Sequence, residues 1–321
     1  MRAAYVATQS AEDPLAGLTV GELEVPEPPE GFRRVRVVAS CLNHHDLWSL
    51  RGVGLPADRL PMVLGCDAAG TDDDGNDVIV HGVVSSPGWR GDETLDPQRT
   101  LLSERYPGTM ADWVWVPERN LVPKPDELTF EEAACLPTAW LTAYRMLFTV
   151  SPAAPGATIL VQGAGGGVAS ALIALASAAG FRVWATSRSE EKRQRALALG
   201  ADQVFEDGAR LPERVDVAFD SVGEATWAHS LKSLVPGGTV VTCGATSGPA
   251  PSADLNRVFF LQLRVLGSTM GTRDELVRLT RFLVATGVRP VIDDVLPLDE
   301  AATGFRRMLD GDVFGKIVFR H

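Results

Sequence analysis

Thr158-Ile159-Leu160-Val161-Gln162-Gly163-Ala164-Gly165-Gly166-Gly167-Val168-Ala169 is the stretch on which the fold turns. Four β-favouring residues lead into a run of glycines, and an apolar segment reaching Ala179 follows, closed by Gly180. The first part reads as a buried strand and the last as a helix ended by glycine. The turn between them is one that glycine makes tightly, and it brings the free N–H groups of a helix start up to a pyrophosphate. Gly163, Ala164, Gly165, Gly166, Gly167 and Val168 are therefore candidate cofactor contacts, with Ala169 an accepted substitute for the last glycine of the pattern.

Outward from this stretch the chain keeps alternating. A second strand is predicted over 181–185, a helix over 190–199 before Gly200, and further buried strands over 215–219 and 239–242. Thr272 caps a helix whose Leu276, Leu279 and Leu283 share one face and which ends at Gly287. A last helix over 298–309 and a strand over 316–319 complete the chain. Strand and helix in regular alternation define an α/β fold with a doubly wound parallel sheet. The second strand runs into Thr186-Ser187-Arg188-Ser189, with no Asp or Glu to hold a ribose 2′-hydroxyl. Ser187, Arg188 and, one turn into the helix, Lys192 suit a 2′-phosphate instead, which selects NADPH. The plainer reading of Arg188 and Lys192 is that of solvated surface charges.

The first 120 residues or so read differently, as short strands and turns. Residues 33–38 alternate as a half-buried strand does, Asp72-Asp73-Asp74-Gly75-Asn76 turns into Val78-Ile79-Val80, and 82–108 is a polar loop without periodicity. From 130 to 148 the pattern is helical, with Thr129 as N-cap and Glu131 and Glu132 in the first turn.

Composition narrows the function. The 321 residues suit two domains, and 45% hydrophobic with 22% charged residues is ordinary for a globular protein. A net charge of −11 argues against nucleic acid or anionic lipid as partner. The N-terminus lacks the pattern of a signal peptide and no apolar run is long enough to span a bilayer. The four cysteines, Cys41, Cys66, Cys135 and Cys243, are scattered singly, as in a reduced compartment. A cytoplasmic enzyme with a small-molecule substrate is the expectation.

Several motifs in order carry a resemblance over almost the whole chain. They are Cys41-Leu42-Asn43-His44-His45-Asp46-Leu47, Leu64-Gly65-Cys66-Asp67-Ala68-Ala69-Gly70, Gly108-Thr109-Met110-Ala111-Asp112-Trp113 and Leu136-Pro137-Thr138-Ala139-Trp140. The glycine loop, Pro236-Gly237-Gly238, Leu266-Gly267-Ser268 and Phe314-Gly315-Lys316-Ile317-Val318 complete the series. With these the sequence resembles the medium-chain dehydrogenase/reductase superfamily, and within it the zinc-free quinone oxidoreductase-like branch. The resemblance implies a GroES-like, β-rich catalytic domain over 1–122, completed by about 291–321, and a Rossmann NADPH-binding domain over 123–290.

It also implies where metal would sit. Zinc-dependent members have Cys where this chain has Asn43, His-Glu where it has Cys66-Asp67, and Cys where it has Thr138. The cysteines of the family's structural zinc lobe are absent from 82–108. Catalytic zinc takes three protein ligands, so the expectation is no metal; a makeshift set from His44 or His45 with Cys66 and Asp67 is the alternative.

By the same resemblance Asn43 and Thr138 lie beside the nicotinamide, and Lys316 in the closing strand joins the cofactor set. His44 and His45 are candidates to hydrogen-bond a substrate carbonyl or relay a proton, so Asn43, His44 and His45 form the catalytic expectation. Asp46 reads as structural. Cys243-Gly244 brings backbone to the nicotinamide end, with Cys243 itself a small core residue. Phe259 and Phe260 either wall that pocket or serve a core or a dimer interface, and the strand at Arg264-Val265-Leu266 implies a homodimer. The implied function is hydride transfer from NADPH to a quinone or an α,β-unsaturated carbonyl without zinc. A zinc-dependent alcohol dehydrogenase and a non-catalytic NADPH-binding redox sensor are the alternatives.

Overall fold

The structure, a computed structural model, describes residues 1–321, and they divide into two compact units. One comprises Thr142–Thr269; the other joins Met1–Leu141 to Met270–His321.

The Thr142–Thr269 unit is built on one six-stranded sheet with every neighbouring pair parallel. Its order across the sheet is Gln203–Phe205, Arg182–Thr186, Thr158–Val161, Val215–Asp220, Leu234–Thr242, Arg264–Gly267. In chain order this is 3-2-1-4-5-6, the doubly wound Rossmann arrangement, whose order reverses beside its first strand. The strands are continuous apolar runs because helices cover a parallel sheet on both faces. Leu160, Trp184, Val215, Ala218 and Val240 interlock in one cluster, with Trp184 fully buried. The helix Gly167–Ala178 is buried from Ala169 to Ala176, which explains its lack of a polar face.

The other unit has a seven-stranded sheet. Five antiparallel neighbours run Leu121–Pro123, Asp77–Val80, Asp67–Asp72, Phe32–Cys41, Lys316–Arg320, and Ile292–Pro297 joins the last of these in parallel. Phe32–Cys41 is long enough to serve two partners: its first half pairs with Trp113–Pro117 and its last residues with Lys316–Arg320. The chain's last strand thereby lies against Cys41, close to where Asn43 begins a helix. A second core, holding Leu42, Leu47, Leu50, Leu64, Phe305 and Phe319, packs beneath the helices His44–Leu50 and Ala301–Asp310.

By contacts the compact units divide between Leu141 and Thr142 and between Thr269 and Met270. The helix Phe130–Ala134 packs on Phe32–Cys41 and Asp67–Asp72, and Arg273, which opens the helix Arg273–Thr286, donates to the Leu121 carbonyl at 3.2 Å. Both helices therefore go with the β-rich unit. The 130–148 helix is also less regular than its periodicity predicts. It opens with the expected capping box of Thr129 and Glu132, then widens into π-helical turns at Leu136–Trp140 and Met146–Val150. Pro137 has no N–H to give the regular ladder, so the turn loosens there.

The 82–108 segment is folded rather than a loop. Val83–Val84 pairs with Thr100–Leu101, and the Asp96 carboxylate accepts from the Ser86 hydroxyl at 2.8 Å and the Gln98 amide at 2.8 Å. Asx-type turns of this kind leave no hydrophobic period to detect. No helix is long and apolar enough to cross a membrane.

Candidate active site

In the β-rich unit four residues far apart in sequence meet in one buried network. Asn43 is the N-cap of His44–Leu50, and its backbone N–H donates to the Asp46 carboxylate at 2.9 Å. Asp46 also accepts from the Gly65 amide at 2.9 Å and has no solvent exposure. The Asn43 amide is held at both ends. Its Nδ2 donates to Asp67 Oδ2 at 2.8 Å, and its Oδ1 accepts from Lys316 Nζ at 2.6 Å.

Lys316 donates in addition to the Leu42 carbonyl at 2.7 Å and stands 3.9 Å from Asp67 Oδ2. The second Asp67 oxygen accepts from the Thr138 hydroxyl at 2.5 Å. Asp67 is fully buried, Lys316 is 2% exposed and Asn43 6%, whereas Thr138 keeps part of its surface.

Burial sets the charges here. Asp67 is pushed up to about 6 by desolvation, against the pull of Lys316 and the hydrogen bonds from Asn43 and Thr138. Asp46 is raised by burial as well. Burial alone would lower Lys316, but Cys41, Asp67, Cys135 and Asp46 around it outweigh that and hold its pKa above the ordinary value. The ammonium is therefore charged at neutral pH.

The two histidines have different surroundings. His45 Nε2 lies 3.2 Å from the Ser103 hydroxyl and 3.9 Å from Glu104 Oε1. His44 retains solvent contact, yet partial desolvation, then the cations Lys316 and Arg51, lower its pKa. It is neutral and able to accept a hydrogen bond at pH 7.

The residues at the zinc positions do not fit a catalytic zinc. Asn43 and Thr138 are committed to Asp67. Cys66 is fully buried, its Sγ donates to the Leu102 carbonyl at 3.1 Å, and burial followed by the charges of Asp46 and Asp67 pushes the thiol well up. Zinc binds the thiolate. No three His, Cys, Asp or Glu side chains are grouped as a metal ion would need.

In the Rossmann unit two glycines of the loop take conformations that other residues rarely adopt. Gly163 and Gly165 have φ of +71° and +133°. A Cβ on Gly163 would come within 2.6 Å of Val222 Cγ2, and one on Gly165 within 2.8 Å of Lys192 Cδ. Gly165 thus makes room for the Lys192 side chain to lie over the loop. Gly166, the helix N-cap, offers no side-chain cap, and a Cβ there would meet nothing within 4 Å. Open space beside uncapped helical N–H groups, with an ammonium nearby, suits an anion. Ala164 N–H donates to the Thr186 carbonyl at 2.7 Å, tying the loop to the end of the next strand.

At that strand end Ser187 is buried and Arg188 exposed. Beneath them lies Arg193, 8% exposed, whose Nη1 donates to the Ser187 carbonyl at 2.6 Å and the Arg188 carbonyl at 3.3 Å. Sequence reasoning missed this residue, although its place one turn into the helix was a usable signal. It also missed Gln162, which accepts from the Thr186 hydroxyl at 2.6 Å, and Asp220, which accepts from the amides of Val222 and Gly223 at 2.9 Å each.

Cys243 is pushed up to about 12 by burial and by Asp220, so it remains a thiol, and a Cβ on Gly244 would sit 3.0 Å from the Ser221 carbonyl oxygen. Phe259 and Phe260 are 68% and 79% exposed and belong to no core.

Comparison with known proteins matches both parts of the chain. Residues 30–126 match the model of the alcohol dehydrogenase GroES-like domain, and 167–285 that of the zinc-binding dehydrogenase family. A 2-methylene-furan-3-one reductase of Solanum lycopersicum is 32% identical over 308 residues, covering 92% of this chain and 73% of that protein. Among solved structures, an NAD-dependent alcohol dehydrogenase superposes with a TM-score of 0.92 at 36% identity, covering 100% of both chains. A 2-octenoyl-CoA carboxylase reductase in complex with NADP and 2-octenoyl-CoA gives a TM-score of 0.89 at 26% identity, covering 99% of this chain and 87% of that one. The chain belongs to the medium-chain dehydrogenase/reductase superfamily and is an oxidoreductase of that fold.

Proposed function

We propose that the protein is a zinc-independent reductase of α,β-unsaturated carbonyl compounds. The cofactor is NADPH, for which Ser187, Arg188 and Lys192 are the 2′-phosphate contacts and 163–168 the pyrophosphate cradle. When bound, NADPH supplies a hydride. The observation that carries the reading is the closed network of Asn43, Asp67, Thr138 and Lys316, in which Asn43 and Thr138 stand at positions where zinc enzymes place ligands. That donor set offers hydrogen bonds and a buried cation instead of a Lewis acid, and the acceptor must then be activated by its own conjugation. The names of relatives support the choice of an enone over a quinone: the tomato reductase, and crotonyl-CoA and acryloyl-CoA reductases at 26% to 28% identity.

The chain's residues divide the remaining work. The glycine loop orients the cofactor, Lys316 fixes the Asn43 amide, and the Thr138 hydroxyl presents a hydrogen bond at the partly exposed end of the network. The exposed Phe259, Phe260 and Val265 beside the edge strand Arg264–Gly267 support a homodimer through that edge as part of the same reading. A second reading, alcohol oxidation, has the 36% identical alcohol dehydrogenase structure in its favour.

One panel separates them. NADPH oxidation is followed with conjugated enones, enoyl thioesters, quinones and simple ketones, with and without chelator. Turnover of enones that survives chelator is expected. Activity confined to alcohols and ketones and lost with one bound zinc per chain would overturn the proposal.

A further inference from the structure

The buried network contains two carboxylates, Asp46 and Asp67, and one ammonium, Lys316. Its charge balances when one carboxyl holds a proton. The hydrogen bonds say which. Asp46 accepts only from backbone amides, those of Asn43 and Gly65, donors that cannot reverse to accept from a protonated carboxyl. Asp67 accepts from the Asn43 amide and from the Thr138 hydroxyl, and a hydroxyl can turn from donor to acceptor. Asp67 is therefore the carboxyl that can hold a proton, and Thr138, 2.5 Å from it and the partly exposed member of the network, is its outlet. The other ionisable groups facing Asp67 are Lys316 from the last strand, Asp46 from the helix His44–Leu50, and the thiols of Cys66 and Cys135, which burial keeps protonated.

We propose that Asp67 and Thr138 form a proton-delivery pair for the reduction. The inference rests on the enone-reductase reading. Hydride from NADPH adds to the β-carbon, and the electron pair of the double bond moves toward the carbonyl as an enolate. The enolate takes the Thr138 hydroxyl proton to form the new α C–H bond, while Thr138 Oγ1 takes the Asp67 proton. Asp67 is left as a carboxylate opposite Lys316, NADP⁺ and saturated product leave, and a solvent proton returns to Asp67 through the same hydroxyl. Thr138 is the catalytic residue and Asp67 acts through it.

The test combines kinetics with a direct view of the proton. Thr138→Val should lower kcat about a hundredfold, at the lower end of what general acids contribute, and Thr138→Ser should restore most of it. Wild-type kcat should fall as pH rises through about 6, where Asp67 gives up its proton, and the valine variant should lose that limb. Infrared difference spectra of the cofactor-free protein should show a protonated carboxyl band that titrates in the same range and vanishes in Asp67→Asn. A valine variant within threefold of wild type, a serine variant no better than valine, or the absence of that band each overturns the proposal. A wild type that oxidises no NADPH with any conjugated acceptor is a different result, because it removes the reductase reading itself.

Discussion

The glycine loop and the Asn43–Asp67–Thr138–Lys316 network are the two polar centres of the molecule, and they are built on opposite principles. The loop is made of backbone: two positive-φ glycines and an uncapped helix start with open space before it. The network is made of side chains that satisfy one another, with Thr138 alone keeping part of its surface exposed. A site of the first kind waits for a ligand to complete its hydrogen bonds, so its defects register in affinity. A site of the second kind is complete already, so its defects register in stability and in proton affinity.

Breaking the network should have the largest effect. Lys316→Met removes the one cation among Asp67, Asp46 and the Asn43 amide oxygen, leaving buried groups without their partner. Removing one side of a buried ion pair costs about 3–5 kcal/mol, and denaturant unfolding at pH 8 should read a loss of that order. The sign of its pH dependence follows from Asp67. Above about 6 the wild-type carboxylate profits from the ammonium, and below it Asp67 is protonated in wild type too, so the loss should shrink toward pH 5. A loss under 1 kcal/mol, or one that does not vary with pH, would show that Lys316 is not the network's charge partner.

Legibility divides along the same line. The loop occupies consecutive positions, and its strand, glycines and helix were readable because each is a local backbone preference. The strand Thr158–Val161 and the Thr272 and Gly287 helix ends lie where the sequence puts them. Asn43, Thr138 and Lys316 were recognised only through the family resemblance, which says where residues align and not what they touch. Asp67 entered as a departure from a metal ligand and as a member of the makeshift metal set, although it is the residue the other three meet around. Nothing in the spacing of positions 43, 67, 138 and 316 announces a contact, because the last strand must pair with Cys41 before Lys316 arrives. Arg193 was missed for a related reason: a basic residue on a helix surface looks solvated until its guanidinium is seen under the Ser187 and Arg188 carbonyls.

An intermediate effect is expected at the strand end of the Rossmann unit. Arg188 is exposed, so Arg188→Ala should leave unfolding unchanged. A charge-assisted hydrogen bond to a phosphate is worth about 1.5–3 kcal/mol, so NADPH Kd should rise by about one to two decades while NADH Kd stays put. Parallel titrations with both cofactors decide the point. An equal loss for NADH would assign Arg188 to the loop's shape, and no loss at all would leave it a surface charge.

The sharpest contrast between the two centres comes from the smallest change, a single methyl at Gly166. Its φ of −74° is one that alanine adopts freely, and a Cβ there would meet no atom of the protein within 4 Å. Alanine caps a helix less well than glycine, so Gly166→Ala should cost the cofactor-free protein well under about 1 kcal/mol. If the proposed pyrophosphate site lies there, the same methyl would project into the open space before the uncapped N–H groups and hold the anion away from them. Lengthening or losing one such hydrogen bond costs about 1 kcal/mol, which predicts an NADPH Kd raised about fivefold to tenfold on an unaltered fold. Gly163→Ala is the control with the opposite balance, since its φ is +71° and its Cβ would strike Val222, so there stability falls as well. If Gly166→Ala binds NADPH as wild type does, that space is not the pyrophosphate site. If it unfolds as readily as Gly163→Ala, the loop is a packed element like the network and the contrast drawn between them fails.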